Sequence, residues 1–273
     1  MQGMRVSVHI DPSSADGNSR TVNRRIIALA LPTFGQLIAE PTFVLIDTAI
    51  VGHIGDTALA GLSIGSTIIL TAVGLCVFLA YSTTAQVAHL LGAGHRREGL
   101  QAGIDGLWLA LGIGIVLSLG LFAGAEPLCQ ALGGKGAVLD QAVAYTRAIM
   151  LGAPGMLLVY AANGIFRGLQ KVRITLIAAV SGAVMNAVLD VLFVIVLHWG
   201  IAGSGIATLI AQWYMGLFLV TPAILWARAD GASLRPRIAG IAAAGGDGLP
   251  LFIRTLAIRA AMVATVACAA RMG

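Results

Sequence analysis

ITLIAAVSGAVMNAVLDVLFVIVL, residues 174–197, decides what kind of protein this is. Apart from Thr175, Ser181, Asn186 and Asp190 the run is apolar, and about 20 such residues in helical form cross a bilayer. Asp190 stands well inside it. On insertion scales an aspartate at the centre of a membrane helix costs about 2.5–3.5 kcal/mol, so a carboxylate in this place is a functional-site candidate.

The rest of the chain has the same character. Of 273 residues, 58% are hydrophobic and only 11% charged, with a mean hydropathy of +0.91. That composition excludes an ordinary soluble domain and predicts an all-α polytopic membrane protein. The glycines fit this class, because small residues let membrane helices approach closely. Cys76, Cys129 and Cys268 are too scattered for a disulfide framework or a metal site. The polar start of the chain lacks the apolar core of a signal peptide, and residues 1–23 read as a disordered cytoplasmic tail.

A sliding hydropathy window places spans near 26–51, 58–88, 100–124, 141–166, 174–198 and 202–227, with a seventh starting near Leu249. Residues 24–228 thus read as a six-helix lobe, 229–248 as a cytoplasmic linker, and 249–273 as the first helix of a second, incomplete lobe. With the N-terminus inside, the cytoplasmic segments hold Arg5, Arg20, Arg24, Arg25, Arg96, Arg97, Arg167, Lys171, Arg173, Arg228, Arg235 and Arg237. The external segments hold Lys135 and Arg147, joined by Arg271 if the seventh helix crosses. The net charge of +5 therefore expresses the positive-inside rule rather than a nucleic-acid surface. A short repeat supports two lobes: ALALPTF at 28–34 is similar to GDGLPLF at 246–252, and each follows a basic stretch.

Within the first six spans the acids are Glu40, Asp47, Asp105 and Asp190, whereas Lys and Arg keep to span ends. A carboxylate buried without a countercharge is driven to take up a proton or hold a cation. At 1.5 Å per residue, Asp190 lies about 24 Å and Asp47 about 30 Å from the inner ends of their helices, so both fall in the outer half of the bilayer. Asn186 is one turn below Asp190, and Glu40 two turns below Asp47. Plainer roles stay open: Asp47 as a solvated end residue, Asp190 as a structural hydrogen-bonding group, Glu40 as part of a kink with Pro41. Asp105 reads as interfacial, and His53, His89, His95 and His198 as solvated end residues. Pro32, one turn into the first helix, is either a bend point or a harmless first-turn proline.

FVLIDTAIVGHIGDTALAGLSIGS (43–66), TTAQVAHLLGAGHRREG (83–99), NGIFRGLQKVR (163–173) and MNAVLDVLFVIVLHWGIAGSGIATLIAQ (185–212) together resemble the multidrug and toxic compound extrusion (MATE) transporters, in particular their DinF-like branch. The resemblance implies a V-shaped assembly of two six-helix lobes that exports drug-like organic compounds in exchange for H+ or Na+, with no cofactor besides the coupling ion. It assigns the coupling cavity to Asp47 of the first helix, to Asn186 and Asp190 of the fifth, and to Thr208, Asn163 and Tyr145 as lining residues, with Pro32 as the bend. Glu40 stands where relatives often carry an uncharged polar residue, and it adds a titrating group. It also implies a plasma (inner) membrane location and a partner for this lobe, either a missing second lobe on a longer chain or a second copy. Two rival readings are a lipid-linked oligosaccharide flippase, which the lack of internal Lys and Arg in spans one to six disfavours, and a non-transporting remnant. No metal-ligand cluster, and no nucleophile with a base beside it, suggests an enzyme.

Overall fold

The computed structural model describes residues 30, 34, 35, 38, 42 and 44–272. Pro32 and Glu40 lie outside the described residues. The described part is helical throughout. Helix α1 is seen over residues 44–52; α2 (Asp56–Leu75), α3 (Phe78–Gly92), α4 (Arg96–Ala123), α5 (Ala125–Ala131), α6 (Gly136–Met150), α7 (Ala153–Gly168), α8 (Val172–Asp190), a π-helical segment (Val191–Val196), α9 (Gly200–Ala229) and α10 (Ile238–Met272) follow.

On α8 burial runs opposite to that of a helix in a soluble bundle. Helix α8 exposes Ile177, Val180, Val184 and Val188 along one face, each more than half accessible. It buries Ala178, Gly182, Asn186 and Asp190 along the other, four residues apart each time. An apolar outside and a polar inside is the pattern a lipid solvent demands. Among the described residues five stretches are long and apolar enough to cross a membrane, and six if α6 and α7 count as one span.

Close approach holds these helices together, since lipid tails offer apolar side chains as good a surrounding as a neighbouring helix does. Helix α7 is the centre. A Cβ on Gly114 of α4 would lie 2.6 Å from Cα of Pro154, one on Gly164 2.7 Å from the Ala80 carbonyl oxygen of α3, and one on Gly155 3.0 Å from the Gln212 carbonyl oxygen of α9. Backbones touch there directly. Arg259 of α10 reaches Gly74 at the end of α2, setting a cation against the negative end of that helix.

Several spans differ in detail from the hydropathy reading. The second is two helices, α2 and α3, broken at Cys76–Val77, and the fourth is α6 and α7, bent by 49° at Leu151–Gly152. A hydropathy window averages over such breaks, because the residues at them are as apolar as their flanks. The loop after the third span contains α5. The seventh helix starts at Ile238 instead of near Leu249, so the segment expected as linker, 229–248, is helical from 238 onwards. Its alanine- and glycine-rich first turns escape a hydropathy threshold yet form helix against α4. Asp105, read as interfacial, is fully buried against the protein and ion-paired with Arg237 at 2.9 Å, a partner the sequence reading did not foresee.

Gly114→Ala should destabilise the bundle by about 1–3 kcal/mol, the usual cost of overpacking. Gly112→Ala, where an added Cβ meets nothing within 4 Å, should be neutral or slightly stabilising. Thermal unfolding in detergent checks the pair: the first variant melts lower than the parent, the second does not.

Candidate functional site

Three helices supply the polar centre. Asp47 comes from α1, Asn186 and Asp190 from the buried face of α8, and Ser204 and Thr208 from α9. All five are buried. Thr208 links the first two helices: its Oγ1 donates to Asp47 Oδ2 at 3.4 Å and accepts from Asn186 Nδ2 at 3.2 Å.

Asp190 neighbours Asp47, Asn186 and Ser204, yet neither of its carboxylate oxygens meets a donor in hydrogen-bonding geometry. The same holds for Asp47 Oδ1, Asn186 Oδ1 and Ser204 Oγ. No Lys or Arg among the described residues contributes to the surroundings of either acid. Orphaned buried polar atoms are rare in proteins, and each calls for an explanation such as a proton, an ion or water. Here they are all oxygens, gathered in one place.

Asp190 points inward on the same four-residue spacing as Ala178, Gly182 and Asn186. It is the last α-helical residue of α8, and the chain then widens into the π-helical segment Val191–Val196. Extra residues of this kind inside a helix accompany functional sites, because they change the direction of the face beyond them. The segment ends at Val196, and two residues on His198, with a φ of 56°, turns the chain, while Phe193 and Trp199 stack with centroids 4.8 Å apart.

Tyr145 is buried and lies within electrostatic reach of both acids. Its ring sits in a slot between Gly65 of α2 and Gly205 of α9. Asn163 is buried on α7, and its Oδ1 has no hydrogen-bond partner; it makes no hydrogen bond to the acid cluster. Four of the expected residues thus meet, Tyr145 stands beside them and Asn163 stands apart. Glu40 and Pro32 are outside the described residues. Ser204 was not anticipated, although its place four residues before Thr208 on an inward-facing helix is the signal that would have found it. His53, His89, His95 and His198 are exposed, as expected of end residues.

The MatE family model matches residues 32–192. The chain belongs to the MATE family. It is 34% identical over 196 residues to the DNA damage-inducible protein F of Escherichia coli (strain K12), an alignment that covers 70% of this chain and 43% of that protein. It is 31% identical over 211 residues to Protein DETOXIFICATION 44, chloroplastic, of Arabidopsis thaliana, covering 73% of this chain and 40% of that one. Among solved structures, a MATE protein in a bent conformation matches with a TM-score of 0.79 at 24% identity, covering 88% of this chain and 55% of the other. A MATE protein in a straight conformation matches with a TM-score of 0.77 at 23% identity, covering 88% and 54%. A MOP superfamily transporter from Pyrococcus furiosus gives a TM-score of 0.78 at 24% identity, again over 88% and 54%. The MATE chain therefore has the fold of these structures and spans about half their length, and somewhat less than half that of the two curated relatives.

Thr208→Val keeps the shape of the side chain and removes the hydroxyl that joins Asn186 to Asp47. Two buried groups then lose a partner, and thermal unfolding should show a loss of about 1–3 kcal/mol. Thr208→Ser, which retains the oxygen, should recover most of it. Equal stability of the Val and Ser variants would show that the hydroxyl carries no such link.

Proposed function

We propose that the chain forms the ion-coupled lobe of an antiporter that exports drug-like organic compounds in exchange for H+, with Na+ as the alternative coupling ion. The observation that carries this reading is the pair Asp47 and Asp190, buried together with no cation among the described residues beside them and surrounded by oxygen atoms that lack donors. Such a set suits a proton or a small hard cation. Membership of the MATE family supports the transport class.

In this account the coupling ion enters from outside and neutralises the acids. Removing their charge lets the cavity contract, because ionised carboxylates resist closure into a dry site. The contraction drives drug release outward, with the first span read from the sequence bending near Pro32, and loss of the ion to the cytoplasm restores the start. That relatives have been solved in bent and straight conformations is consistent with two states of one bundle. Asn186 and Thr208 hold the acids in register, while Tyr145 lines the space around them. Glu40, a further acid in the first span read from the sequence, would add a titrating step. The distribution of Arg and Lys supports a multi-pass arrangement in the plasma membrane with the N-terminus in the cytoplasm. A second lobe, or a second copy of this chain, completes the pathway.

Drug-dependent proton flux measured in inside-out membrane vesicles, with ethidium as the probe, tests this. Asp190→Asn and Asp47→Asn should each lower the flux at least tenfold at unchanged protein level. Undiminished flux in Asp190→Asn would refute the assignment. A flux that follows an imposed Na+ gradient and ignores an imposed pH gradient would move the coupling to Na+.

A further inference from the structure

A third fully buried carboxylate, Asp105 of α4, stands apart from the acid cluster. Its partners come from the segment that joins α9 to α10. Arg237 Nε and Nη2 donate to its Oδ2 at 3.1 and 2.9 Å, and the Arg237 backbone N–H donates to Oδ1 at 3.2 Å. Gln101, one turn earlier, donates to Oδ1 at 3.4 Å and accepts from the Ser233 backbone N–H at 2.6 Å. Trp108 Nε1 donates to the Leu234 carbonyl at 2.9 Å, and Arg96 Nε to Asp230 Oδ2 at 2.7 Å. Residues 230–237 are thus strapped along α4 at four points, three of which (101, 105, 108) follow one stripe of that helix.

The strap ends where α10 begins. Arg237 is the cap residue, since its carbonyl accepts from the Ile241 N–H at 2.9 Å. Asp105 accepts from the cap's own N–H, as the acid of a capping box does, but from a different helix. A negative charge there also complements the dipole of a 35-residue helix. Gly240 lies directly against the carboxylate, with no room for a side chain. Higher on α10, Gly245 and Gly246 touch no neighbour at their Cβ positions, Asp247 accepts from Gln86 Nε2 of α3 at 2.8 Å, Gly248 packs against the Phe78 ring of α3, and Pro250 follows inside the helix. That proline removes the hydrogen bond to the Gly246 carbonyl, so α10 bends most easily between 245 and 250.

We propose that Asp105 is a positioning residue of the transport cycle: it clamps the α9–α10 connection and the first turns of α10 to α4, so that movement of what lies beyond is taken up at residues 245–250. The assignment rests on the transport reading for its purpose, but the clamp itself can be measured without a transported compound. Failure of drug export would therefore not decide it.

Pulsed electron spin resonance on the full chain in lipid nanodiscs, with Cys268→Ser to remove the exposed thiol, reads the clamp directly. One spin-label pair reports the base (Arg97→Cys with Ala242→Cys) and another the upper helix (Ile253→Cys with Thr67→Cys). The base pair should give a narrow distance distribution that Gly245→Ala with Gly246→Ala leaves unchanged, while those replacements narrow the upper pair. Asp105→Asn should broaden the base distribution at least twofold. Arg237→Gln should do the same, and because Arg237 is half exposed this variant carries the test if the Asp105 variant does not accumulate. A base distribution that stays as narrow in the clamp variants as in the parent, or an upper pair unmoved by the glycine replacements, overturns the proposal.

Discussion

The structure depends on one constraint: two carboxylates buried side by side, on α1 and α8, without a cation among the described residues to balance them. In a low-dielectric interior such a pair cannot remain fully ionised unless something shares the site. Everything nearby is arranged for that something to be small. The Thr208 hydroxyl bridges Asn186 and Asp47, Ser204 adds an oxygen beside Asp190, and the π-helical segment after Asp190 turns the helix face at that point. Ordinary stability would be served better by apolar side chains at these positions.

The site and the packing make opposite demands, and α9 takes part in both. Around α7, glycines bring backbones into direct contact, and that contact gives a rigid frame without any hydrophobic driving force between helices. At the site α1, α8 and α9 keep oxygen atoms unsatisfied. A frame that tight is what prevents the bundle from collapsing onto its own polar atoms. The strap on α4 extends the logic to the end of the bundle, where a buried ion pair and a capped helix start fix the geometry of the following segment.

Much of this was legible in the sequence, because membrane helices announce themselves by length and apolarity and because an acid within one is conspicuous. Asp190, Asn186 and Asp47 could be picked out on those grounds alone, and Thr208 through the resemblance. Other features were hidden for identifiable reasons. The breaks at Cys76–Val77 and Leu151–Gly152 lie among residues as apolar as their flanks, so hydropathy does not register them. The partner of Asp105 is 132 positions away, beyond any local pattern, so the ion pair could not be read from the sequence. The start of α10 is rich in Ala and Gly, and its helical state follows from docking on α4 and capping by Asp105. Ser204 needed only the four-residue spacing to Thr208, a signal that was present and unused.

Proton release on drug binding tests the central claim most directly. Ethidium added to the purified protein in weakly buffered detergent should displace protons into the medium, and the release should vanish in Asp190→Asn while the variant keeps its helical content. Ethidium binding with no proton release from the parent, or with undiminished release from the variant, would contradict the account.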